Sequence, residues 1–103
     1  MSVEVVMPAL GLTVEKGIIT NTPKECTYQI LNKFNIEHYF NTVVTTDDVT
    51  RGKPDPEIIF RACKLMNIDP KKAILVGDTE NDVKAGRAAG CIIIGINIEA
   101  DFK

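Results

Sequence analysis

The sequence predicts an α/β fold, an incomplete Rossmann-like parallel sheet with flanking helices, on three observations. Four short apolar runs lie at residues 17–20, 42–45, 73–77 and 91–96, and unbroken apolar runs of this length read as strands buried in a sheet. Segments with apolar residues at helical spacing separate them. Strands alternating with helices bring parallel neighbours together through crossovers that are right-handed as a rule.

In chain order, Gly17-Ile18-Ile19-Thr20 is the first strand of this core, ending in turn residues. Pro23 suits the first turn of a helix because its backbone angle is already helical. Cys26, Ile30, Leu31 and Phe34 then follow at helical spacing over about twelve residues. Thr42 to Thr45 is β-branched and reads as a strand. Residues 47–56 form a polar loop punctuated by Gly52, Pro54 and Pro56. A second helix is expected from Glu57 to Asn67, with Ile59, Cys63 and Met66 on one stripe. Ala73-Ile74-Leu75-Val76-Gly77 is a strand cut sharply at Gly77-Asp78. The next helix, from Glu80 to Ala89, stops at Gly90, a C-terminal glycine signal.

A chain of 103 residues holds one small domain, burying roughly two thirds of its unfolded surface. A net charge of −2 gives no electrostatic case for nucleic acid. No apolar run approaches the roughly 20 residues of a membrane helix. The opening Met1-Ser2-Val3-Glu4 lacks the basic start of a secretory signal. Three widely spaced cysteines, Cys26, Cys63 and Cys91, suggest neither a disulfide framework nor a zinc site. A cytoplasmic setting is the expectation.

Ligands of open α/β sheets sit beyond the carboxyl ends of the strands, and three features fall there. Thr20-Asn21 follows a strand and offers a hydroxyl and N–H groups able to hold a phosphate oxygen; an ordinary strand-to-helix turn is the competing reading. Lys53, between Gly52 and Pro54 before a helix, can neutralise phosphoryl charge or sit solvated in its loop. Asp78 ends a strand and Asp82 follows one helical turn later, so both carboxylates can face one Mg²⁺ ion. Asp78 as a plain helix cap is the competing reading.

Taken in order, a threonine, Gly52-Lys53-Pro54-Asp55-Pro56 and Gly77-Asp78-x-x-x-Asp82 resemble the second, third and fourth motifs of the haloacid dehalogenase-like hydrolase superfamily. The likeness is to its phosphoglycolate phosphatase-like members and runs from Gly17 to Asn97. The resemblance implies that Thr20, Asn21 and Lys53 bind substrate phosphate, with Thr20 and Lys53 catalytic. It implies that Asp78 and Asp82 hold Mg²⁺, and that substrates are small phosphate monoesters. In the family an aspartate attacks the phosphoryl group and an aspartyl-phosphate is hydrolysed.

That aspartate belongs to a first motif, Asp-x-Asp, on the central strand. Here no aspartate precedes Asp47; the earlier carboxylates are Glu4, Glu15 and Glu25. No cap domain is expected either, so the isolated chain is expected to be inactive. Residues 1–16 resemble instead the opening of lipoyl domains, on Val3-Glu4-Val5-Val6-Met7-Pro8-Ala9-Leu10-Gly11-Leu12-Thr13. The expected division is thus a lipoyl-like strand segment, 1–16, and a partial hydrolase core, 17–103, as a fusion or truncation would leave it.

Without its central strand the sheet keeps two unpaired edges. Val3 to Met7 is apolar and β-branched enough to fill the slot. A parallel crossover to Gly17 needs about a dozen residues or more, so an antiparallel insertion or a swapped homodimer is expected. The filled slot is expected to end in Met7-Pro8-Ala9, with no carboxylate. His38 reads as structural, the cysteines as core residues, Asp47 and Asp48 as an exposed acidic pair, and Asp55 as the start of the second helix. The alternative to a phosphatase is a non-catalytic module that binds Mg²⁺ or phosphate, or associates with itself.

Overall fold

The computed structural model describes residues 3–9 and 15–96. The strands are Glu4–Pro8 (β1), Gly17–Ile19 (β2), Thr42–Val44 (β3), Ala73–Gly77 (β4) and Ile92–Gly95 (β5). The helices are Lys24–Lys33 (α1), Glu57–Met66 (α2) and Glu80–Ala89 (α3). The strands form one sheet in the order β3-β2-β1-β4-β5. Strands β2 and β3 pair in parallel, as do β4 and β5.

Strand β1 fills the central slot and runs against both neighbours. Glu4 stands opposite Ile19, Val6 opposite Gly17 and Leu75, and Pro8 opposite Ala73. The connection explains the direction: only residues 9–16 join β1 to β2, too few for the crossover a parallel pair requires. The two halves of the sheet thereby lose their unpaired inner edges.

The core lies between the sheet and the helices α2 and α3. Val6, Ile19, Val44, Ala73 and Leu75 pack there against Ile58, Ile59, Ala62, Cys63 and Met66 of α2 and Ala85 and Ala89 of α3. Alternation along β1 puts Glu4 and Val6 on this buried face and leaves Val5 and Met7 half-buried on the other. The edge strand β5 exposes Ile92 and Ile94. Helix α3 begins with a capping box in which Thr79 accepts from the Asp82 N–H and Asp82 accepts from the Thr79 N–H. It ends at Gly90, whose φ of 80° is the left-handed conformation glycine adopts freely.

Helix α1 corrects one expectation. Cys26 is exposed, not part of the core. The helix buries Thr27 and Leu31, four residues apart, so its inner stripe lies one position beyond Cys26, a rotation of roughly 100°. The Thr27 hydroxyl donates to the Pro23 carbonyl at 3.0 Å, which makes burial of this polar residue tolerable. Phe34 is exposed as well. Cys63 is buried as expected, and burial pushes its thiol up to about 12. Leu10 to Thr13 of the lipoyl-like stretch, and Asn97, lie outside the described residues.

Candidate functional site

The parallel strands β2 and β4 point their carboxyl ends the same way, and Thr20 and Asp78 follow those ends directly. Because β1 is reversed, its first residue, Glu4, arrives at the same edge. Lys53 enters from the loop before α2, and Asp82 from the first turn of α3.

Asp82 is built in locally. It is 1% exposed. Its Oδ2 accepts hydrogen bonds from the Asp78 and Thr79 N–H groups at 3.0 and 2.9 Å. Gly77 is required beside it: a Cβ there would lie 2.6 Å from Asp82 Oδ2. The other oxygen, Oδ1, accepts from Lys53 Nζ at 2.8 Å. Both carboxylate oxygens are therefore satisfied, by backbone donors at a helix N-terminus and by an ammonium.

Lys53 is nearly as deeply buried, its side chain 3% exposed. Burial pulls its ammonium below the ordinary lysine range, against the opposing attraction of Asp82 and Asp78. Asn21 holds the lysine loop from below. Its side chain accepts from the Lys53 N–H at 2.9 Å and donates to the Lys53 carbonyl at 3.0 Å. Thr20 is buried, and its hydroxyl donates to Thr22 Oγ1 at 2.9 Å while accepting from the Thr22 N–H at 3.1 Å. Asparagine, lysine and aspartate thus form one linked set, and Thr20 lies beside it next to Asn21 in the chain. Asp78 is the exposed member, at its mouth.

Glu4 was not anticipated here, and it corrects the expectation that the slot ends in Met7-Pro8-Ala9. That tripeptide sits at the far end of the sheet, beside Ala73. The site end carries Glu4, 0% exposed, in an ion pair with Lys53 Nζ through Oε1. Among the described residues Glu4 Oε2 has no hydrogen-bond partner. Ligand oxygens of Glu4, Asp78 and Asp82 lie within 4.8 Å of one another. The signal was in the chain: once the short connection makes β1 antiparallel, its first residue is the one that meets the site.

The remaining candidates serve the frame. His38 is exposed and leans on the Tyr39 ring, centroids 4.1 Å apart. The Asp47 carboxylate accepts from the Lys24 N–H at the start of α1 (2.7 Å), and Asp48 accepts from the Thr45 N–H (2.9 Å). Asp55 accepts from the Glu57 N–H at 2.9 Å and so starts α2, as expected.

An open sheet that gathers threonine, lysine and paired aspartates beyond its strand ends defines a hydrolase core of the haloacid dehalogenase type. The chain belongs to that family: residues 6–96 match the haloacid dehalogenase-like hydrolases. It is 36% identical over 90 residues to a phosphoglycolate phosphatase of Escherichia coli (strain K12), covering 87% of this chain and 35% of that protein. A solved structure of a predicted phosphoglycolate phosphatase from Haemophilus somnus superposes with a TM-score of 0.75 and 30% identity, over 84% of this chain and 42% of that one. A HAD-superfamily hydrolase, subfamily IA, from Geobacter sulfurreducens superposes with a TM-score of 0.72 and 33% identity, over 77% and 37%. The chain spans about a third of the length of the curated relatives it matches. Among the described residues no helix is long and apolar enough to cross a membrane.

Proposed function

We propose that this chain is the phosphate- and Mg²⁺-binding part of a phosphatase for small phosphate monoesters, and that alone it binds without turning over. The observation that supports it most is the Asn21–Lys53–Asp82 linkage, which joins the three motif segments at one sheet edge. The resemblance to phosphoglycolate phosphatases points to phosphate esters as the substrate class.

In this reading Lys53 places its ammonium against an anionic phosphoryl group, in a site dry enough for that charge to act strongly. Thr20 donates its hydroxyl to a phosphoryl oxygen, exchanging its bond to Thr22 for the ligand. Asn21 fixes the lysine loop through the backbone of Lys53 and shapes the phosphate turn. Asp78 and Asp82 would hold Mg²⁺; the acidic cluster they form with Glu4 fits a hard cation that prefers oxygen ligands. When bound, the ion neutralises charge on the phosphoryl oxygens.

The sequence supports the non-catalytic half. No Asp-x-Asp pair occurs among residues 1–46, and no aspartate at all. The reading keeps a lipoyl-like segment at residues 1–16 joined to a partial core at 17–103. It includes a cytoplasmic setting, no nucleic-acid partner, and a homodimer through exposed sheet edges, for which β5 with its bare Ile92 and Ile94 is the candidate.

Hydrolysis of p-nitrophenyl phosphate by the purified chain, with and without Mg²⁺ and beside Asp78→Asn, tests the proposal. Expected is no turnover above that control, with binding of inorganic phosphate that needs both Mg²⁺ and Lys53. Turnover that requires Mg²⁺ and vanishes in Asp78→Asn would overturn the non-catalytic half. Absence of any phosphate or Mg²⁺ binding would overturn the whole.

A further inference from the structure

We propose that Glu4, delivered by the reversed strand β1, is a ligand of the divalent-cation site, taking a place that no motif of the chain assigns to it. The inference rests on the Mg²⁺ reading of Asp78 and Asp82 given above.

Two independent observations carry it. The first is charge. Glu4, Asp78 and Asp82 bring three carboxylates to one edge, and Lys53 brings one ammonium. Two negative charges remain, which matches one divalent ion. Glu4 and Asp82 are 0% and 1% exposed, and buried carboxylates need a compensating charge because water cannot supply one.

The second is the orphaned oxygen. Glu4 Oε1 faces Lys53, whereas Oε2 is buried with no hydrogen-bond partner among the described residues. A buried acceptor without a donor is uncommon and marks a missing ligand, ion or water. Asp82 makes the contrast. Its Oδ2 already takes two N–H groups and its Oδ1 takes Lys53, so it has less to offer a metal. Glu4 Oε2 has the most.

Geometry allows it. Oxygens around an octahedral Mg²⁺ at about 2.1 Å lie roughly 3 to 4 Å from one another. One ligand oxygen from each of the three residues lies within 4.8 Å of the others, a spacing close to that range. Mg²⁺ usually keeps several waters, and exposed Asp78 leaves the outer side open to them.

Mn²⁺ and Mg²⁺ titrations by calorimetry on the full chain, on Glu4→Gln and on Asp78→Asn form the first arm. Loss of an outer-shell partner already weakens metal binding by about 10- to 100-fold, so Glu4→Gln is expected to weaken it at least about tenfold. Unchanged affinity in Glu4→Gln beside a loss in Asp78→Asn sinks the role of Glu4 and leaves the Mg²⁺ site standing. No binding by the unaltered chain sinks both. The second arm needs no variant: crystals of the unaltered chain soaked in Mn²⁺, located by anomalous scattering. An ion coordinated by a Glu4 oxygen is expected. An ion held by Asp78 without Glu4, or no ion, overturns the inference.

Discussion

Asp82 and Glu4 are two buried carboxylates that grip the same ammonium, and they are held in opposite ways. Asp82 sits within a helix cap that residues 77–82 build by themselves, every oxygen paired. Glu4 sits on a strand whose neighbours are remote in sequence, and one of its oxygens has no donor among the described residues. The first is a carboxylate the local backbone stabilises. The second has Lys53 as its partner on one oxygen and no donor on the other among the described residues. Asp82 comes to the site with its position already fixed by the backbone, whereas Glu4 keeps an oxygen free for a ligand.

Removing the shared partner has the largest expected effect. Lys53→Met leaves both carboxylates buried without their ammonium, and breaking a buried ion pair in this way destabilises by about 3–5 kcal/mol. Urea unfolding followed by circular dichroism measures it; a loss under about 1 kcal/mol would mean that the Lys53 contacts hold little. Asp82→Ala comes next. It strips the N–H groups of Asp78 and Thr79 of their acceptor and halves the pairing of Lys53, for a loss of about 3 kcal/mol.

Thr79→Ala removes one side of the capping box and is expected to lower stability by about 1 kcal/mol. Hydrogen exchange at the first turn of α3 should accelerate with it, while β2 and β3 keep their protection. Glu4→Gln has the smallest expected effect without metal. It removes a poorly satisfied buried charge and leaves Lys53 its bond to Asp82, so stability stays within about 1 kcal/mol or rises. A loss in Glu4→Gln as large as in Asp82→Ala would erase the difference between the two carboxylates.

The same contrast explains what the sequence disclosed. Gly77-Asp78-x-x-x-Asp82 is legible because strand end, glycine and both carboxylates lie within six residues, although the helix cap that could have fallen on Asp78 falls on Thr79. The parallel halves of the sheet are legible for a similar reason, as unbroken apolar runs between amphipathic helices. The filling of the slot, and its antiparallel direction, follows from the length of residues 9–16. Three things were hidden. The clamp of Asn21 on Lys53 spans 32 residues and uses a backbone no pattern marks. The stripe of α1 is set by Thr27, a polar residue that the hydrophobic pattern passes over. Glu4 was read by its place in an apolar run, whereas its role depends on which end of the strand meets the site.

Everything assigned to Glu4 depends on the direction of β1. Cross-strand nuclear Overhauser contacts in the isotope-labelled chain measure it most directly. An antiparallel β1 predicts contacts of Glu4 with Ile19 and Val6 with Gly17 on β2, and of Val5 with Val76, Val6 with Leu75 and Pro8 with Ala73 on β4, so that partner numbers on each neighbour fall as β1 advances. Partner numbers that rise together, or no contacts between residues 4–8 and 73–76, would remove Glu4 from the site and contradict the arrangement.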